Sequence, residues 1–204
     1  MPKLLTTLSV SALLALSAPA FAQTATTETT PTATDVQKAP ESLSMGQAAD
    51  EGPGTAYVKE AVDDWQMECI RVEEGQEEPC QMFQPLLDDQ QNQVANIRLF
   101  RLPEKGEAVA GALVAVPLET LLTAQLSITV DGAKPQRYPF SVCDRLGCYA
   151  RIGFRAADVA AFKKGAKATV TLVPFVAPDQ KVDLPMSLKG FTAAYEKTSI
   201  IQAQ

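Results

Sequence analysis

Cys143-Asp144-Arg145-Leu146-Gly147-Cys148 is the stretch whose reading decides the fold. Extended-type residues lie on both sides of it, Arg137-Tyr138-Pro139-Phe140-Ser141-Val142 before and Tyr149-Ala150-Arg151-Ile152-Gly153-Phe154 after. The two cysteines therefore flank a loop of turn-type residues, Asp144 to Gly147, the pattern of a β-hairpin pinned at its neck. Across such a neck the two Cβ atoms face each other within the span a disulfide accepts. Arg145 stands at the stapled tip beside Asp144, which makes it the residue to single out for partner contact. Its plainer reading is a turn residue held by the neighbouring carboxylate.

A disulfide presumes an oxidising compartment, and the N-terminus supplies the route to one. Met1-Pro2-Lys3 leads into an apolar run from Leu4 to Leu16 and then to Ala20-Phe21-Ala22. One positive charge, a short apolar stretch and an A-x-A site predict a secretory signal over residues 1–22, cleaved between Ala22 and Gln23. A membrane-spanning anchor needs about 20 apolar residues, and this run is shorter and diluted by Thr6, Thr7, Ser9 and Ser11. The residue after the cleavage point is Gln23 rather than a cysteine, which argues against a lipoprotein. The expectation is an exported protein, periplasmic, with outer-membrane association or secretion as alternatives and no stable membrane insertion.

Export changes how the four cysteines are read, because thiols in such a compartment are usually paired. Cys69, Cys80, Cys143 and Cys148 allow three connectivities. The local one, Cys69 with Cys80 and Cys143 with Cys148, is favoured because each pair lies within one candidate hairpin. The chain-entropy argument assigns the two closed loops contributions of about 3 and about 2 kcal/mol respectively.

Residues 23–54 are rich in Thr, Ala, Pro, Ser and Gln with no helical or strand period, the composition of a disordered tether. Residues 55–204 then make one ordinary domain. Trp65, Met67 and Cys69 share a face at period two, and Cys80 to Gln84 continues extended until Pro85. Val94 to Leu102 sets Ile97 and Leu99 on one face. Glu107 to Val116, nearly all Ala, Val, Leu and Gly without clear alternation, predicts a strand buried on both faces, with a helix as the alternative. Pro117 to Ala124 is a turn or short helix, and Leu126 to Val130 alternates ahead of Asp131-Gly132. Ala156 to Lys164, with Val159, Ala160 and Phe162 and a stop at Gly165, is the best helix. Ala168 to Val176 and Val182 to Leu188 form a last strand pair, the second an edge strand because of Pro185. Gly190 to Ile201 closes the chain as a short helical tail. Many short strands with one or two helices define an all-β fold, an antiparallel sandwich or barrel-like domain with two local disulfides.

These motifs in this order resemble a known family. Trp65-x-x-x-Cys69, Cys80, Pro117-Leu118, Cys143 with Gly147-Cys148-Tyr149-Ala150, and Leu184-Pro185-Met186-Ser187-Leu188-Lys189-Gly190-Phe191 are similar to the invasion-associated locus B proteins of alphaproteobacteria. The resemblance covers essentially the whole domain and omits the tether. It implies an exported envelope protein of β-sandwich character, linked in some pathogenic members to entry into host cells, and it brings no established catalytic residues. Glu119 stands where the family's Pro-Leu-Gly version has glycine.

The chemistry available is narrow. The chain has no histidine, which excludes Ser-His-Asp and Cys-His nucleophile systems, His-ligated zinc and histidine acid/base catalysis. Carboxylate pairs, Ser-Lys arrangements and cysteine redox chemistry remain. Redox centres favour Cys-x-x-Cys at a helix start, whereas Cys143 and Cys148 sit in a hairpin. The acids Asp63, Asp64, Glu68, Glu73, Glu74, Glu77 and Glu78 crowd together, but without the spacing of a calcium loop, and read as a solvated, charge-rich stretch. With 17 basic against 24 acidic residues once Lys3 is removed, the chain is disfavoured on nucleic acid and on anionic lipid. Lys189-Gly190-Phe191 and Tyr149 read as core or core rim ahead of binding surface. The expectation is a non-catalytic binding or accessory protein of the bacterial envelope. It has no catalytic, metal or cofactor site, and its partner is an unknown protein or envelope component. The alternative is a periplasmic envelope-maintenance factor working through carboxylates.

Overall fold

A computed structural model describes residues 51–201. The predicted signal with its Ala22–Gln23 junction, and residues 23–50 of the predicted tether, lie outside them. Within the tether's last residues, the Gly54 N–H donates to Arg71 O at 2.8 Å and Glu51 pairs with Arg71 at 2.7 Å.

The chain first builds an antiparallel meander, β1 (Ala56–Val62), β2 (Trp65–Ile70), β3 (Cys80–Leu87), β4 (Gln93–Arg101) and β5 (Ala110–Val116). It then crosses, through a 3-10 turn at Leu122–Ala124, to a second sheet, where β6 (Leu126–Val130) pairs with β7 (Gln136–Tyr138). It returns to the first sheet as β8 (Val142–Cys143) and β9 (Cys148–Phe154), the latter beside β5. Helix α1 (Ala156–Lys164) follows. The second sheet is then completed by β10 (Lys167–Leu172) and β11 (Val182–Ser187), ahead of α2 (Phe191–Lys197). The strand orders are β1-β2-β3-β4-β5-β9-β8 and β11-β10-β6-β7, an all-β antiparallel sandwich carrying two short helices and two local disulfides.

Period-two burial makes these strands. Trp65, Met67 and Cys69 of β2, Ile97 and Leu99 of β4, and Val114 of β5 share one core with Leu126, Val170, Leu184 and Met186 of the second sheet. The run ending at Val116 is a strand rather than a helix, flanked by β4 and β9, but it begins only at Ala110 and is fully buried on one face, Leu113 and Ala115 of the other being half-buried. β11 is an edge strand, with Leu184 and Met186 inward and Pro185 outward. Helix α1 spans the predicted residues. Asp158 in its first turn accepts the Arg155 N–H at 2.9 Å, and Gly165 ends it, while Ala160 is exposed.

Four further expectations are corrected. β1 had no counterpart in the sequence reading, because Ala56–Val62 lies almost wholly exposed at a sheet edge and carries a register shift between Val58 and Glu60, so no apolar alternation marks it. β3 does not stop at Pro85 but runs to Leu87. The β2 ladder already ends at Phe83, so at Pro85 only β4 pairs with the strand. The lead-in Arg137–Val142 is not one strand, since Gln136–Tyr138 belongs to the second sheet and only Val142–Cys143 pairs with β9. Pro139, with no N–H to give a ladder, marks the break. Finally, β10 ends at Leu172, leaving Val173–Val176 as a loop.

Two joints hold the layers together. The buried amide of Gln84 on β3 donates to Asp64 O at 3.0 Å and Ser187 O at 3.2 Å, and accepts the Ser187 N–H at 2.7 Å. The Ser187 hydroxyl adds a 2.6 Å bond to Asp64 Oδ2, so the edge strand β11 is fastened to β3 and to the β1–β2 turn. The second joint is a run of rings. Trp65 meets Phe191 edge-on at 5.7 Å, Phe191 meets Phe162 at 5.4 Å, Phe162 meets Phe154 edge-on at 5.0 Å, and Phe154 meets Tyr138 at 6.0 Å. Trp65 Nε1 has no hydrogen-bond partner among the described residues, so the indole is held by packing alone. Gly190 lets α2 enter this cluster. Its φ is +79°, and a Cβ there would lie 2.6 Å from Val62 O.

Burial pushes the Tyr138 phenol up to about 12, with the charge of Asp158 adding to the shift. A raised folded-state value means that the unfolded chain loses this proton first, so the contribution to stability is intact below pH 10 and is lost as pH rises from there to about 12. Unfolding in urea across that interval should show falling stability in the wild type and a shallower fall in Tyr138→Phe.

Candidate functional site

The stapled hairpin is built from its first loop residue. Cys143 and Cys148 are Cα partners in the β8–β9 ladder and are bridged, as are Cys69 and Cys80 between β2 and β3. Within the loop the Asp144 N–H donates to Gly147 O at 2.9 Å. Asp144 Oδ1 accepts the Leu146 N–H at 2.7 Å, the Gly147 N–H at 3.2 Å and the Tyr149 hydroxyl at 3.2 Å. These bonds, the one from Leu146 foremost, hold the Asp144 carboxyl below the usual aspartate value, while burial and then the Asp144 charge raise the Tyr149 phenol.

The carboxylate is thus fully engaged by backbone and by Tyr149. Arg145 is exposed and makes no ion pair among the described residues, so the reading of it as a turn residue clasped by Asp144 is corrected. Tyr149 is a half-buried rim residue, and Phe191 belongs to the core.

The loop does not stand alone. A Cβ on Gly147 would lie 2.5 Å from Val116 O, so only glycine lets the hairpin rest against the end of β5. Just there the chain leaves the first sheet. The Thr120 hydroxyl donates to Pro117 O at 2.7 Å, and Thr120 bridges Pro174. The Leu121 N–H donates to Val173 O at 2.8 Å, and the Phe175 N–H to Glu119 O at 2.7 Å. Residues 117–124, 144–147 and 173–177 therefore form one corner, each loop tied by backbone bonds or a disulfide.

That corner is apolar on its outside. Leu146 is 87% exposed, Val176 76%, Phe175 67% and Leu118 53%, and Leu122 of the same connection and Val142 of the adjoining β8 are exposed as well. Only two other large apolar side chains among the described residues are comparably exposed, Val58 and Ile200, and both lie elsewhere. Exposed apolar side chains gathered on neighbouring loops differ from the singly scattered ones usual on a protein surface. Arg145 was legible in the sequence. Leu118, Leu122, Phe175 and Val176 were not, because they come from two segments joined only through the Thr120–Pro174 bridge. Pro174, closing the apolar run after β10, is the one signal that residues beyond it leave the sheet.

The crowded acids are more structural than a solvated stretch. Glu78 accepts from the Tyr57 hydroxyl at 2.6 Å and from Lys59 at 2.9 Å, and these bonds hold its carboxyl low. Glu68 pairs with Arg98 at 2.8 Å, Asp63 with Lys189 at 3.5 Å, and Asp64 holds Ser187. Glu73, Glu74 and Glu77 face solvent, as the composition suggests. Among the described residues no group of three or more acids and cysteines is placed to hold a metal ion, and no helix is long and apolar enough to cross a membrane.

Fold and surface together define a disulfide-stapled two-sheet β protein that presents an apolar corner. Residues 65–199 match the family described as invasion associated locus B (IalB) protein, and the chain belongs to that family. The match runs from Trp65 through α2, taking in both disulfides and the corner and leaving β1 outside. Two relatives, each an Invasion protein B homolog from a strain of Brucella abortus, are 31% identical over 144 residues, spanning 71% of this chain and 80% of theirs. The crystal structure of invasion associated protein B from Bartonella henselae is similar at a TM-score of 0.55 and 25% identity, covering 66% of this chain and 90% of that one.

Because the Asp144 value is depressed, its hold on the loop is present above the ordinary aspartate range and is lost as pH falls through the lowered value. The amide resonances of Leu146 and Gly147 should report one shared titration with a midpoint below that of an unconstrained aspartate. In Asp144→Asn that titration should be absent.

Proposed function

We propose that this chain is an exported, non-catalytic binding or accessory protein of the bacterial envelope, and that it works through the corner formed by residues 117–124, 144–147 and 173–177. The observation that carries the reading is the contrast between two uses of side chains. Buried Gln84, half-buried Ser187 and the exposed carboxylates of Asp64 and Asp144 are all spent on internal bonds, whereas large apolar side chains are presented outward on loops tied down by backbone bonds or a disulfide. Two disulfides suit an oxidising compartment, and a site for macromolecular contact needs rigidity more than it needs titrating groups. The names of the family and of the relatives place them with invasion, and a contact protein at the envelope is the form such a role would take here.

The carboxylate-dependent alternative finds its best-placed groups in Asp64 and Ser187, 2.6 Å apart beside Gln84. Their bonds fasten β11, so Asp64→Asn should lower the unfolding midpoint and leave the cellular role intact at permissive temperature.

The test is complementation of a deletion strain, scored by detergent sensitivity and accompanied by fractionation. The wild type should be recovered outside the cytoplasm and restore resistance. Leu146→Asp with Phe175→Asp should be exported at normal levels and fail to restore it. Retention in the cytoplasm, or full complementation by the double variant, would overturn the reading.

A further inference from the structure

The corner carries two charged groups with no partner of their own. Glu119 sits between exposed Leu118 and the Phe175 loop, its backbone oxygen held by the Phe175 N–H and its carboxylate in no ion pair among the described residues. Arg145 is the corresponding unpaired cation on the neighbouring loop, which Gly147 seats against the end of β5. One apolar patch thus holds one free acid and one free base at different places on it.

A surface of that composition is complementary to itself. Under a two-fold rotation the patch meets its own copy, residue i meets residue j, and j meets i. Glu119 of each copy can then face Arg145 of the other while Leu146, Phe175 and Val176 bury one another. We infer that the corner is a two-fold interface and that the protein's partner there is a second copy of this chain.

Area and charge favour this occupant over others. The exposed parts of the six apolar side chains amount to roughly 600 Å², which with a polar rim approaches the ~800 Å² one partner brings to a standard interface. A lipid surface would have to accept Glu119 among the inserting residues without a counter-charge, which a head-group region disfavours. The inference rests on the corner being a contact surface, as proposed above, and adds the identity of what it contacts.

The test is sedimentation equilibrium of the full mature chain from micromolar to millimolar concentration, with circular dichroism to verify folding of each variant. The wild type should show a reversible monomer–dimer equilibrium. Arg145→Glu and Glu119→Arg should each weaken it at least tenfold. The double variant Glu119→Arg with Arg145→Glu, which restores opposite charges across the two-fold, should recover association to within a few-fold of the wild type. Both positions are exposed, so the fold is expected to survive each change. A wild type that stays monomeric at millimolar concentration, or a double variant no stronger than either single one, would overturn the inference. So would a monomer that co-sediments with phosphatidylcholine vesicles through Leu146 and Phe175, which would give the corner to lipid. Loss of complementation by Leu146→Asp with Phe175→Asp in a protein shown to be monomeric would leave the contact-surface reading standing and remove only the dimer.

Discussion

The run of rings from Trp65 through Phe191, Phe162 and Phe154 to Tyr138 is the constraint on which the remaining architecture depends. It starts on β2, passes through both helices, enters β9 and ends on β7, so it touches both sheets and fixes the helices between them. Neither helix is long enough to persist alone, and each is held by the ring it inserts. Emptying one such position would cost on the order of 3–5 kcal/mol, a large part of the 5–15 kcal/mol that a domain usually has. Tyr195 stacks on Phe191 at 5.8 Å and extends the contact toward the C-terminal tail, where Arg101 donates to Thr198 O at 3.0 and 2.6 Å.

With the layers fixed this way, the corner can be apolar without softening. Its loops hang from strand ends that the core already positions, and each has its own fastening: the disulfide and Asp144 for one, the Thr120–Pro174 bridge for the other two. The placing of side chains follows the same economy. Buried or half-buried polar groups close internal bonds, and charge that is not so used, on Arg145 and Glu119, is found where the chain faces outward.

Much of this is legible in the sequence. Alternation at Trp65, Met67 and Cys69, the Gly165 stop after α1, the edge character of the Pro185 strand and both local cysteine pairings are short-range signals, and short-range physics decides them. The misses share a different cause. Ala56–Val62 becomes a strand because β2 offers it a ladder, not because of anything in its own pattern. Arg137–Val142 is divided between sheets by the path of the chain over the sandwich, which only Pro139 hints at. The corner itself is the clearest case, since residues about fifty positions apart in the chain meet through one backbone bridge. Arg145 drew attention as a loop-tip charge. Glu119 was visible only as a departure from a family pattern, and its meaning depends on the Phe175 loop that lies against it.

Trp65 is the chain's single tryptophan, and it lies at the end of the ring run with its indole out of water. The molecule therefore carries an intrinsic optical gauge at the joint between β2 and α2. Its emission follows the seating of Phe191, and through Phe191 the docking of the C-terminal helix, and none of the corner's loops carries a tryptophan of its own. Loosening of the helix layer can thus be followed optically in the unmodified protein.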